Sequence, residues 1–171
     1  MDLTTLAIRI GLAVVCGGCI GAERGKMNRA AGFRTHILVC LGATIIALIQ
    51  VETVHETTQM ILKNPELGQA LKADLGRIVA QVVTGVGFLG AGTIMVDKGS
   101  IKGLTTASTV WVVACVGLAI GLGYYEISII ATVAILFVNV VLKRFEHVGY
   151  INFQKKNGAK YYKKRGKNEI S

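Results

Sequence analysis

The sequence predicts an all-α, polytopic membrane bundle of about five transmembrane helices. Of the 171 residues, 52% are hydrophobic and 17% are charged, whereas soluble domains carry roughly 25% charged residues. The apolar residues come in long blocks rather than at amphipathic spacing, which favours a membrane over a soluble core. Two such blocks, both rich in glycine, flank a short loop with Asp97, Lys98 and Lys102. This pattern indicates a helical hairpin that crosses a bilayer.

Five apolar segments have the length of membrane helices. We expect them at about 4–22, 35–53, 77–96, 104–123 and 126–143, within a transmembrane domain of residues 1–143. Between the second and third, Asn64-Pro65-Glu66 predicts the capped start of a short helix. Glu52, His55 and Glu56 could share a face and hold a divalent ion, although a solvated helix end explains them better. Arg9 lies inside the first segment, where it either snorkels to the headgroups or has a function.

The distribution of Lys and Arg predicts the orientation. Basic residues concentrate after the first segment, after the third, and in residues 144–171, a basic tail. An odd number of spans puts the termini on opposite sides, so the positive-inside rule places the N-terminus outside and the tail in the cytoplasm. The tail suits anionic lipid as its partner, and it offers no folded reader for nucleic acid.

Small residues recur along the membrane segments. They let neighbouring backbones approach closely, so we predict helix packing within the bundle and against a second copy, as a dimer, or another membrane protein. A substrate path along these residues is the alternative. The predicted packing residues are Gly17, Gly21, Gly85, Gly87, Gly90, Gly92 and Trp111.

The two Gly-rich hairpins resemble each other. Residues 18–22 match residues 87–91, and the segments that follow each loop, 32–35 and 103–106, also match. Both hairpins would start outside, so a parallel internal repeat is one interpretation. Chance similarity between glycine-rich membrane helices is the other.

Polar residues form two candidate sites. Asp74, Arg77, Gln81 and Thr84 lie on one face of the third helix and act either as structural contacts or as a functional polar surface. A second set lies at the cytoplasmic helix ends, where free N–H groups could bind an anion or a partner's carboxylate, or simply be capped. That set is Glu23, Arg24, Arg34, Thr35, Thr105, Thr106 and Thr109.

The sequence contains no hydrolase, nucleotide-binding or metalloprotease motif, so we expect no enzyme, no cofactor and no metal site. Asp and Glu occur only near membrane ends or in loops. A Mg²⁺ carrier would need carboxylates at mid-membrane, so their position counts against an ion carrier. A transporter or channel that uses the polar faces of helices three and four remains the alternative.

Several motifs together resemble the MgtC/SapB family of bacterial membrane proteins. They are G-x-I-G-A-E-R from Gly18, G-F-R-T-H-I-L-V-C-L-G-A from Gly32, D-x-x-R-x-x-x-Q from Asp74, G-V-G-F-L-G-A-G-T-I from Gly85 and G-L-T-T-A-x-x-x-W from Gly103. The resemblance implies a non-enzymatic protein of the bacterial inner membrane, linked to growth at low magnesium and to virulence in pathogens. It also implies action on other membrane proteins, such as the ATP synthase, rather than Mg²⁺ transport. This chain departs from virulence-associated members in having a short basic tail where they carry a folded cytoplasmic domain, and Thr105 where some carry Asn.

Overall fold

The computed structural model describes residues 1–69, 76–97 and 99–142, which form five α-helices and one β-hairpin. The all-α prediction is therefore confirmed. The chain divides into two compact units, Met1–Ile135 and Leu136–Ser171. In the second unit the described residues are the end of the fifth helix and a π-helical turn, Val138–Leu142. The elements in order are α1 (Leu3–Lys26), α2 (Phe33–Lys63), α3 (Arg77–Ala91), β1 (Met95–Asp97), β2 (Ser100–Lys102), α4 (Leu104–Leu122) and α5 (Tyr125–Phe137).

Three of these helices, α1, α2 and α4, are long and apolar enough to cross a membrane. The described α3 has 15 residues, which at 1.5 Å per residue is roughly 22 Å against a hydrocarbon core of about 30 Å. The described α5 is also apolar and short. Spanning by α3 and α5 therefore stays a prediction, and the basic tail of residues 144–171 lies outside the described residues.

The end of α2 was predicted wrongly, because the helix continues ten residues past 53, to Lys63. Hydropathy marks where a helix leaves hydrocarbon, not where its hydrogen bonds end. Thr53, Thr57 and Thr58 each donate to the carbonyl four residues earlier, at 2.8 Å. The helix ends just before Pro65, which disfavours helical geometry in the residue that precedes it. A 3-10 helix, Pro65–Gln69, stands where the short helix was expected.

The end of α3 was also predicted too late, since α3 stops at Ala91 and residues 95–102 form a hairpin. Val96 pairs with Ile101 across the two strands, and Gly99 takes φ +79° in the turn. Asp97 and Gly99, between the β-branched residues Val96 and Ile101, are a hairpin signal. The apolar run before them is long enough for a membrane helix, and the prediction followed that run to residue 96. Lys98 lies outside the described residues.

The centre of the bundle is the contact between α2 and α4. A Cβ placed on Gly121 would lie 2.5 Å from the Cβ of Ala47, and one on Gly117 would collide with the carbonyl oxygen of Cys40. The hydroxyl of Thr44 donates to the carbonyl oxygens of both Cys40 and Gly117, at 2.9 Å each. The two backbones are thus as close as glycine permits, and α4 is the most buried of the three long helices.

Helix α1 also packs closely against α2. A Cβ on Gly17 would lie 2.8 Å from the carbonyl oxygen of His36, and one on Gly21 would lie 2.8 Å from the Cα of Phe33. Where α3 packs against α4, a Cβ on Gly90 would lie 3.3 Å from the carbonyl oxygen of Ala107. The parallel internal repeat expected from the two Gly-rich helical hairpins, α1–α2 and α3–α4, stays a prediction.

Candidate functional site

A group of polar side chains lies at the end of the bundle where α1 ends and where α2 and α4 begin. We call Glu23, Arg24, His36 and Thr106 the polar cluster. Arg24 lies on α1, and His36 lies in the first turn of α2. Gly17 and Gly21 bring these two helices close together here. Close helix packing therefore carries these polar groups into the protein interior.

Arg24 joins α1 to α4 within this cluster. Its side chain is 3% exposed, and its NH2 group donates to the Oγ1 atom of Thr106 at 3.1 Å. Thr106 is itself buried, at 4% exposure. A charged group so far from water requires compensation, and the Nε atom of Arg24 has no hydrogen-bond partner among the described residues.

His36 is fully buried between α1 and α2. Its Nδ1 atom lies 2.8 Å from the carbonyl oxygen of Gly32. Its Nε2 atom is buried without a hydrogen-bond partner in the part of the chain that the structure describes. The same is true of both carboxylate oxygens of Glu23. The cluster thus combines one carboxylate, one guanidinium and one imidazole.

The predicted cytoplasmic set divides into two groups. Thr109 is buried, and its hydroxyl donates to the carbonyl oxygen of Thr105 at 2.6 Å. Arg34, Thr35 and Thr105 are exposed, so they lie outside the polar cluster. Sequence spacing alone did not separate the inward group from the outward one.

The polar residues predicted on the third helix lie on an exposed face. Arg77, Gln81 and Thr84 are all exposed, and the Thr84 hydroxyl donates to the Ala80 carbonyl oxygen at 3.0 Å. Asp74 lies outside the described residues. The buried residues of α3 are Val86 and Gly90, so α3 packs on the bundle through one narrow side.

Beside that face, α2 and α3 enclose an apolar groove of about 580 Å³. Gly42 of α2 and Gly85 of α3 line its walls, and Gln81 contributes a polar side chain. Among the described residues, no atom comes within 4 Å of a Cβ placed on Gly42 or Gly85. The groove therefore has small residues on both walls.

The predicted packing residues behave differently from one another. Gly17, Gly21 and Gly90 contact neighbouring helices, as described above. Gly92 directly follows the end of α3. A Cβ placed on Gly92 would lie 3.4 Å from the carbonyl oxygen of Leu89 and 3.7 Å from that of Phe88. A Cβ on Gly87 has no described atom within 4 Å, and Trp111 is 42% exposed. Packing by Gly85, Gly87 and Trp111 therefore stays a prediction.

At the opposite end of the bundle, Arg9 caps α4. Its NH1 group donates to the carbonyl oxygen of Gly121 at 2.7 Å, and its Nε donates to the hydroxyl of Tyr125 at 3.0 Å. The last carbonyls of a helix lack intrahelical donors and carry partial negative charge, so a guanidinium suits them. Nearby on α2, Glu52 pairs with the N-terminal amine of Met1 at 3.3 Å.

Sequence reasoning did not identify His36 as a candidate, nor the capping role of Arg9. The signal for His36 was its position one helical turn into α2, on the side where α1 presents Gly17 and Gly21. For Arg9, the signal was Tyr124-Tyr125 just after Gly123, the residue that follows the end of α4. Among the described residues, no group of three or more His, Cys, Asp or Glu side chains could hold a metal ion.

Comparison with known proteins gives a consistent assignment. The model of the MgtC family matches residues 10–148. "Putative magnesium transporter YhiD" of Escherichia coli (strain K12) is 41% identical over 131 residues, which are 77% of this chain and 57% of that protein. "Protein MgtC" of Salmonella typhimurium (strain LT2) is 38% identical over 131 residues, or 77% of this chain and 49% of that protein. "Uncharacterized protein slr0014" of Synechocystis is 32% identical over 143 residues, or 84% and 54%.

The chain thus spans about half the length of the curated relatives that it matches. No solved structure matches it.

Proposed function

This chain belongs to the MgtC family, and we propose that it is a non-enzymatic protein of the bacterial inner membrane that modulates other membrane proteins when magnesium is scarce. We propose that it acts as a homodimer in which α3 packs against a second copy. The apolar helices make it a membrane protein. Its role as a modulator rests on the family and on the open face of α3.

The exposed face of α3 is the observation that carries this proposal. An amide exposed to hydrocarbon lacks the hydrogen bonds that water would supply, and Gln81 is such an amide. Interhelical hydrogen bonds from Gln or Thr contribute about 0.6–2 kcal/mol to helix association in membranes. Gly85, four residues after Gln81, and Gly87, three residues after Thr84, each leave a place that a second backbone can approach closely. The face therefore has both features of a helix–helix interface.

Replacing Gly87 with leucine tests the dimer. No described atom lies within 4 Å of a Cβ there, so the fold should tolerate the change while the approaching helix does not. Gly11 of α1 is equally open, and Gly11→Leu is the matched control. We expect Gly87→Leu to run as a monomer in mild detergent and to lose growth support at low magnesium, while Gly11→Leu keeps both. A dimer that survives Gly87→Leu would contradict the proposed interface.

We propose that the hairpin end of the bundle faces the cytoplasm. Basic residues of the first loop, Lys102 of the hairpin and the tail support this orientation through the positive-inside rule. A cysteine placed at Ser100, in a variant whose native cysteines are replaced by serine, tests it. A membrane-impermeant thiol reagent should label that cysteine in inverted vesicles and not in intact cells. The opposite labelling pattern would reverse the orientation.

Transport through the polar faces of α3 and α4 is the second candidate. The name of the E. coli relative includes magnesium transport, and Gln81 and Thr84 make one side of α3 polar. Magnesium flux into proteoliposomes that contain the purified chain, lost in Gln81→Leu, would favour transport. Absence of flux, together with growth support at low magnesium, would favour the modulator.

A further inference from the structure

We propose that the β-hairpin between α3 and α4 lies in the membrane interface and inserts the side chains of Val96 and Ile101 among lipid acyl chains, just below the headgroups. Its partner is the bilayer surface at the end of the bundle where α4 begins. The proposed dimer uses the face of α3 and does not depend on this contact.

The register of the two strands gives the hairpin two different faces. Val96 pairs with Ile101, and Asp97 pairs with Ser100. Successive residues of a strand alternate between faces, and directly opposite residues share a face, so Val96 and Ile101 form an apolar face. The residues of the other face are Met95, Asp97, Ser100 and Lys102. On that face Lys102 forms an ion pair with Asp97, so the hairpin is amphipathic.

The described part of the bundle does not cover the apolar face. Val96 is 74% exposed and Ile101 is 62% exposed. A two-stranded hairpin is marginally stable at best in water, and it needs packing on one face to be stable. The surface that covers Val96 and Ile101 therefore comes from outside the described residues.

The position of the hairpin favours lipid as that surface. Helix α4 has 19 residues, which at 1.5 Å per residue is roughly 28 Å and just matches a hydrocarbon core of about 30 Å. Strand β2 ends at Lys102, immediately before Gly103 and the start of α4. Gly90, near the end of α3, lies against Ala107 in the first turn of α4. Both ends of the hairpin therefore lie at the boundary of the hydrocarbon.

A close backbone contact holds the base of the hairpin at this boundary. A Cβ on Gly103 would collide with the carbonyl oxygen of Thr93 and would lie 3.2 Å from the Cα of Ile94. The residues that leave α3 and those that enter α4 are thus packed side by side, which fixes where the strands begin.

The open edges of the strands set the depth. Each strand of this two-stranded sheet has an outer edge without a strand partner in the described chain. Open sheet edges are not tolerated in hydrocarbon, because their backbone groups need hydrogen bonds. Headgroups and interfacial water supply those bonds. The strands therefore lie among the headgroups, with Val96 and Ile101 toward the acyl chains and Lys102 toward water.

Tryptophan fluorescence of the full chain in phosphatidylcholine vesicles measures the depth of each face. The chain has one tryptophan, so a Trp111→Phe background lets an introduced tryptophan report alone. Val96→Trp probes the apolar face, Ser100→Trp is the matched control on the polar face, and Ile101→Trp repeats the test if Val96→Trp does not fold. We expect lipid brominated on its acyl chains near the headgroup to quench Val96→Trp at least about twofold more than Ser100→Trp, as for insertion of about 5–10 Å. Iodide present on both sides of the vesicle should give the opposite order.

Other quenching patterns would overturn the inference. Equal quenching of Val96→Trp and Ser100→Trp by iodide would place the hairpin in water. Protection of Val96→Trp from both iodide and brominated lipid would show that protein covers the apolar face. Stronger quenching by bromine near the acyl methyl ends than by bromine near the headgroup would place the strands in the hydrocarbon core. The dimer is measured separately, by Gly87→Leu in detergent.

Discussion

Replacing Gly117 with alanine tests whether the contact between α2 and α4 is the centre of the bundle. The added methyl group would collide with the carbonyl oxygen of Cys40 and would lie 3.0 Å from the Cβ of Ala43. Neither neighbour is the flexible end of a long side chain, so the two helices must separate to make room. Separation would also lengthen the hydrogen bond from Thr44 to the Gly117 carbonyl, now 2.9 Å.

The expected loss of stability follows from three contributions. Overpacking a close contact costs about 1–3 kcal/mol. Weakening one interhelical hydrogen bond in a membrane protein costs about 0.6 kcal/mol. Alanine gains about 1 kcal/mol over glycine in a helix interior. The net destabilisation from Gly117→Ala is therefore about 0.6–2.6 kcal/mol.

Gly42→Ala on α2 is the matched control. A Cβ there has no described atom within 4 Å, so only the gain in helix propensity applies, and stability should rise by up to about 1 kcal/mol. Reversible unfolding in mixed micelles of increasing sodium dodecyl sulfate content, followed by circular dichroism, measures both variants. If Gly117→Ala is as stable as Gly42→Ala, the close approach of α2 and α4 is refuted.

Two further changes address the helix ends. Arg9→Met removes the donor to the Gly121 carbonyl and should destabilise the chain by about 1 kcal/mol, since the guanidinium is only half-buried. Unfolding in the same micelles measures this loss. An unchanged unfolding midpoint would contradict the capping role. Gly103 has φ +93°, and Gly103→Ala places a Cβ against the Thr93 carbonyl. This change should destabilise the chain by about 2–4 kcal/mol, so the helical circular dichroism signal should be lost at a lower detergent fraction. A wild-type unfolding curve would exclude this hairpin geometry.

Much of the helical framework could be predicted because hydropathy is a local property. The start of α4 at Leu104 and its end at Leu122 match the prediction to within one residue. The hairpin and the last ten residues of α2 could not be located in this way. Val96 and Ile101 are apolar in a strand as in a helix, and polar residues such as Glu56 continue a helix once it has left the hydrocarbon.

The candidate site was partly predictable. Glu23, Arg24 and Thr106 were identified from their position at helix ends, and the structure brings Arg24 and Thr106 together. Arg34 belonged to the same predicted set, and its side chain is exposed. Rotation of α2 about its axis decides which residue of its first turn faces α1, and His36 occupies that position.

The sequence by itself determined a helical membrane protein of the MgtC family, because long apolar blocks and recurrent motifs are read directly along the chain. The tertiary structure alone decided which glycines are contacts. Gly117 lies against the backbone of α2 and Gly87 lies against no described atom, although both are glycines in apolar helices. A helix that is apolar on all sides carries no sequence signal for which face turns inward, so the packing of its neighbours sets that face.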